Sequence, residues 1–192
     1  MTTQRPSILH LDSRALKVLA HPLRSRLLVA LRTGGPSTAT ALAETLKTNT
    51  GATSYHLRKL ASVGLVEETD QGRGRERWWR AATEMHTWTE HDVAGDRDGQ
   101  AATDWLRRQY LQWFVDRYQE WLDAQREWPL EWRDVAGSSD YSLRLSPARL
   151  AAFEAEFQAM FERYREAHPE NSGDEEIVHI YLYAFPFVPS PR

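Results

Sequence analysis

The sequence predicts an α+β protein of two unlike parts: a mainly helical N-terminal module ending in a β-hairpin, then a module with a long helix and a short sheet. Three observations predict this. Short amphipathic helical patterns with clear caps follow one another over the first sixty residues. Two β-prone runs then flank a glycine-containing loop at 71–75. The charge also splits: Met1 to Ala82 carries 13 basic and 6 acidic residues, Thr83 to Arg192 carries 11 and 21. Such asymmetry marks a chain whose first part meets a polyanion and whose second part does something else. Aromatic residues divide the same way, with only Tyr55, Trp78 and Trp79 before residue 83. The expected organisation is a domain over 1–82, a linker over 83–100 and a C-terminal domain over 101–192.

The elements follow from local chemistry. Asp12 or Ser13 caps a short helix containing Leu16 and Leu19. Pro22 suits the first turn of the next, where a missing N–H is harmless; Leu23, Leu27, Leu28 and Leu31 recur at helical spacing, and Gly34-Gly35-Pro36 stops it. Ser37 is the expected cap of a third helix carrying Ala41, Leu42 and Leu46. Asn49 caps a fourth, with Thr53, Leu57 and Leu60 turned inward, and Gly64 takes the left-handed position that ends it. Two short helices joined by a tight turn form a helix-turn-helix.

The outward face of the second of these helices carries Thr50, Gly51, Ser54, Tyr55 and Arg58. Side chains that are small at the tip, then polar, then basic suit a helix that enters a major groove and reads base edges. The hairpin loop holds Arg73 and Arg75 between glycines, thin and basic enough to reach phosphates or a narrow minor groove. These seven residues are the candidate DNA contacts.

The segments LKVLAHPLRSRLLVAL, ALAETLKTNTGATSYHLRKLASVGLVEE and GRGRERWW together resemble the ArsR-like winged helix-turn-helix family, in the actinobacterial form with an extra C-terminal domain. The resemblance covers roughly residues 11 to 82. It implies a dimeric bacterial transcription regulator, mostly repressors that leave DNA when an inducer binds. Metal-sensing members use cysteine pairs or an Asp/His/Glu set on a C-terminal helix. This chain has no cysteine and no such set, so metal sensing does not carry over, and neither a metal nor another cofactor is expected.

In the second part, Leu106, Tyr110, Phe114, Tyr118 and Leu122 form one column of a long helix running from about Ala101 to Arg126. Trp105, Trp113 and Trp121 form the next column. An arc this wide exceeds the stripe one neighbour needs. It suits packing within the domain and against a second subunit, or a pocket for a small aromatic or apolar effector lined by those three tryptophans. Tyr141 to Leu145 and Ile177 to Phe185 read as strands, and Ser146-Pro147 opens a helix between them.

No serine–histidine–acid order or phosphate loop appears, so an enzyme is not expected. The chain shows neither an export signal nor a membrane-spanning run, and a cytoplasmic location is expected. The function expected is sequence-specific binding to a roughly palindromic double-stranded operator as a homodimer. The alternative is a winged module that binds protein or ligand and reads no DNA.

Overall fold

The computed structural model describes residues 8–69, 76–166 and 175–188, which fall into two units, Met1–Asp116 and Arg117–Arg192.

The first unit begins with a short strand β1 (Ile8–His10) and helix α1 (Ser13–Leu19), capped by Asp12, whose carboxylate accepts from Ala15 N at 2.8 Å. Helix α2 (Pro22–Gly34) has Pro22 in its first turn and His21 as its cap; the imidazole Nδ1 accepts from Leu23 N. Strand β2 (Ser37–Thr38) and helix α3 (Ala39–Thr45) follow. The cap of α3 is Thr38, accepting from Ala41 N at 3.2 Å, and not the expected Ser37. Ser37 and Thr38 both pair with β4, opposite Trp79 and Trp78. Thr38 is the residue directly before the first helical position Ala39, from which a side-chain oxygen reaches the free N–H groups of the first turn.

The turn after α3 places Lys47 at φ 53°. A left-handed residue other than glycine costs roughly 1–2 kcal/mol. Backbone bonds fix the turn from both sides, with Lys47 N donating to Glu44 O and Thr48 N to Ala43 O. Helix α4 (Thr50–Ala61) starts at Asn49, which accepts from Ala52 N at 2.8 Å. It ends where Gly64 adopts φ 73°, closed to most side chains. Strands β3 (Val66–Thr69) and β4 (Trp78–Ala81) form the hairpin and, with β2, an antiparallel sheet of order β2-β4-β3.

The inward residues of these elements make one core. Leu16, Leu19, Leu27, Leu57, Leu60 and Leu65 are completely buried, and Trp79 covers them from the sheet. Each fully buried leucine contributes about 1.5–3 kcal/mol of transfer free energy.

Residues 83–100, expected as a linker, are instead built into this unit. Strand β5 (Met85–Thr87) pairs in parallel with β1, and a 3-10 turn (Glu90–Val93) inserts Val93 into the core. Asp96 then serves as the start signal for the long helix α5 (Arg97–Ala124), accepting from Asp98 N and Gly99 N at 3.1 Å. Its other carboxylate oxygen takes Lys17 Nζ at 2.8 Å and the Ser13 hydroxyl, which binds α5 to α1. Gly99 lies at this crossing: a Cβ there would stand 2.6 Å from Ser13 Oγ. The run Gly95-Asp96-Arg97-Asp98-Gly99 has a linker's composition because cap and close-approach residues are the same small and acidic types. Ala102, Thr103 and Leu106 continue the buried side of α5.

The second unit takes up residues 117–124 of α5, a 3-10 turn (Gln125–Glu127), α6 (Leu130–Val135) and α7 (Pro147–Glu166). Edge-on contacts link Trp121 to Trp128 and Trp128 to Trp132. Ser146 caps α7 as expected, accepting from Arg149 N. The expected strands at Tyr141–Leu145 and Ile177–Phe185 are not formed as ladders, so the short C-terminal sheet is absent among the described residues. Their alternating apolar pattern is real, yet Leu143, Ile177 and Ile180 remain exposed. Such a pattern becomes a strand only with a partner to pair with. The α+β class stands, its sheets lying in the first unit.

Candidate nucleic-acid interface

Helix α4 is divided by burial. Thr53, Leu57 and Leu60 face the core, while Thr50, Gly51, Tyr55 and Arg58 are exposed and Ser54 is half-exposed. The division follows from the period: residues 53, 57 and 60 share one stripe, and 50, 54 and 58 lie on another, one turn apart. The Asn49 cap holds the tip at which Thr50 and Gly51 stand. A side chain at residue 51 would meet Asn49 Oδ1 at 3.4 Å, ordinary contact, so packing within the chain does not demand a glycine there. What the glycine provides is a bare approach to the helix tip.

Thr50, Ser54 and Arg58 line a groove of about 400 Å³ together with Thr38, Ala39 and Thr40 at the start of α3 and Glu76, Arg77 and Trp79 at the return strand, so one carboxylate stands among the arginines. Thr38, Thr40 and Arg77 were not singled out in the sequence. Arg77 could have been: it stands just before the return strand of the hairpin. Its Nη1 donates to Glu68 Oε1 at 2.9 Å across the hairpin, and Arg80 Nε similarly donates to Glu67 at 2.7 Å. The Arg80 pair is part-buried, but the Arg77 pair is solvent-facing, where an ion pair contributes little to stability, so Arg77 can exchange Glu68 for another anion at small cost.

Tyr55 is not among the groove's lining residues. Half of it is exposed, its ring meets the edge of His56, and Lys59 Nζ stands 5.6 Å from its centroid. His56 turns inward and meets the His21 ring at a tilt of 37°, with centroids 4.4 Å apart. Burial first, then the neighbouring His21 and Arg24, holds the His56 pKa below its ordinary value, and burial followed by Arg24 does the same for His21. Both rings are therefore neutral packing groups near neutral pH. Arg73 and Arg75 lie outside the described residues.

The three tryptophans have separate neighbours. Trp105 packs against the core, Trp113 lies 5.6 Å from Tyr110, and Trp121 meets Trp128. Trp105 and Trp113 belong to the first unit and Trp121 to the second. Among the described residues no group of three His, Asp or Glu side chains could hold a metal ion, and no helix is long and apolar enough to cross a membrane.

A helix, a tight turn, an exposed second helix and a following hairpin are thus in place, and residues 19–69 match the family described as a helix-turn-helix domain. A protein solved by crystallography and described as a possible transcriptional regulator for arsenical resistance is 30% identical, over 59% of this chain and 95% of that one. The chain is an ArsR-like winged helix-turn-helix protein. It is also 27% identical to a Mycobacterium bovis structure, the homodimeric winged helix-turn-helix DNA-binding domain of a possible ArsR-family regulator, over 48% of this chain and 77% of that one. A Mycobacterium tuberculosis protein, Rv1404, is 19% identical over 55% of this chain and 68% of that one. The TM-scores of the three superpositions are 0.32, 0.34 and 0.32 in the order given. No match was found among curated proteins.

Proposed function

We propose that this ArsR-like protein is a sequence-specific regulator of transcription that binds double-stranded DNA. The observation that carries the reading is the outward stripe Thr50, Ser54 and Arg58 on α4, which lines a groove shared with Arg77 and Glu76. Short hydroxyl side chains at a helix tip let the backbone approach base edges, and the arginines beside them neutralise phosphates. Positive charge concentrated in the first 82 residues draws this face to DNA, while the acidic remainder of the chain is repelled by it.

The working form is a homodimer, as in the Mycobacterium bovis relative. Two recognition helices then meet successive major grooves, and the operator is roughly palindromic with half-sites about 34–36 Å apart or a multiple of that spacing. Repression relieved by an effector, and a cytoplasmic location, complete the reading.

The hairpin arginines test it. Replacing Arg73 or Arg75 by Ala should weaken binding to all sequences alike and reduce the slope of log K against log salt by about 0.9 for each phosphate no longer neutralised. Fluorescence anisotropy on a labelled duplex at several salt concentrations measures this. Equal slopes in both variants and the parent chain would remove the hairpin loop from the interface.

A further inference from the structure

Arg32 in the last turn of α2, His86 in β5 and Tyr110 in α5 meet inside the first unit. Arg32 Nε donates to the Thr83 carbonyl at 3.1 Å and Nη1 donates to His86 Nδ1 at 2.9 Å. A guanidinium only donates, so Nδ1 is the acceptor and the imidazole proton sits on Nε2. That proton is donated to the Tyr110 hydroxyl oxygen at 2.8 Å. The imidazole is neutral and held in one tautomer; burial, with Arg32 second, keeps its pKa down at about 3. Around it are flat rings: Trp88 stacks on His86 with planes 17° apart, and Tyr110 bridges to Trp113 at 5.6 Å.

Two donors here are left over. Arg32 Nη2 and Trp88 Nε1 are both buried, and neither has a hydrogen-bond partner among the described residues. Leaving a buried donor unmade costs about 1–3 kcal/mol, and more when it belongs to a charged group. Both acceptors that Arg32 does have are neutral. Burial lowers its pKa to about 10, with the charges of Tyr110 and Glu84 acting the other way, so it remains cationic near neutral pH.

A largely buried cation with a buried spare Nη2, a spare indole N–H and several aromatic faces is chemistry that suits one class of small molecule. A carboxylate takes a guanidinium's parallel donors, and an attached aromatic ring stacks among the flanking rings. The site is closed in this structure. Trp88, Tyr110 and Trp113 are only partly buried, so a ligand would enter past these side chains.

We propose that Arg32 and Trp88 form an effector site for a small aromatic carboxylate. Its regulatory half rests on the DNA-binding reading above. Leu27, Leu28 and Leu31 of α2 share a core with Leu57 and Leu60 of α4, so a ligand that takes Arg32 from His86 shifts the end of a helix packed against the DNA-reading one.

The test titrates the full chain with benzoate, using tryptophan fluorescence and the thermal midpoint, with acetate and benzyl alcohol as probes lacking the ring or the charge. Saturable binding of benzoate is expected, at least about tenfold tighter than either control, the equivalent of 1.4 kcal/mol. Arg32→Gln should abolish it. Because that variant disturbs a buried network, Trp88→Phe is the companion: it keeps the ring, removes the N–H and should weaken benzoate about tenfold. No response up to about 20 mM, far beyond what a fragment site needs, or equal response to all three probes, overturns the site. Benzoate binding that leaves DNA affinity unchanged overturns its coupling to α4, whereas failure to bind DNA without benzoate counts against the DNA reading alone.

Discussion

Leu57→Ala is expected to destabilise the first unit by about 2–5 kcal/mol, the range for truncating a buried leucine. Leu57 is completely buried, on the inward stripe of α4 between Thr53 and Leu60, in the core that also holds Leu16, Leu19 and Leu27. Truncation leaves a cavity at the point where α4 is seated, and the surrounding helices relax only in part. Domains of this kind have total stabilities of about 5–15 kcal/mol, so the loss is a large share. Urea titration followed by tryptophan fluorescence measures it, as a lower midpoint at unchanged slope. DNA affinity should fall with it, because the exposed stripe is aligned only while the buried one is seated. A change below about 0.5 kcal/mol, the level of an ordinary surface substitution, would show that Leu57 does not anchor the helix.

Ser54→Ala is expected to change which base is preferred at one operator position, by about 1–3 kcal/mol of discrimination, with little effect on folding. Ser54 sits mid-stripe between Thr50 and Arg58 in the groove. Its hydroxyl both donates and accepts, and alanine does neither. Tyr55→Ala is the informative companion. Tyr55 points beside the groove toward His56 and Lys59, so it should change affinity more evenly across sequences than Ser54 does. Competition binding with single-base operator variants separates the two. Unaltered preference in both variants would mean that the reading face of α4 is set in another register.

The helix-turn-helix module was legible because its signals are local. Asn49, Gly64 and the spacing of Thr53, Leu57 and Leu60 are cap, stop and period, and none needs knowledge of distant residues. The hairpin strands were legible for the same reason. Residues 83–100 were not. Strand β5 is three residues long and its partner β1 lies more than seventy positions earlier, so no local alternation announces it. Asp96 and Gly99 have linker chemistry but act through α1, which only the tertiary arrangement reveals. Ser37 and Thr38 compete for one cap; both lie in the ladder to β4, and the helix start at Ala39 gives the cap to Thr38. At Ile177–Phe185 the pattern promised a ladder that the described residues do not supply. Within the site, Thr50, Ser54 and Arg58 come together as their period requires; Arg77 joins them only because the hairpin folds back beside α4.

The most direct test of the DNA-reading face is selection of bound duplexes from a random pool by the full chain. Enrichment of one two-fold-related motif is expected, with affinity at least about a thousandfold above random sequence, and with one motif position relaxed when Ser54→Ala is used. A chain that retains random duplexes as well as any selected one would contradict it.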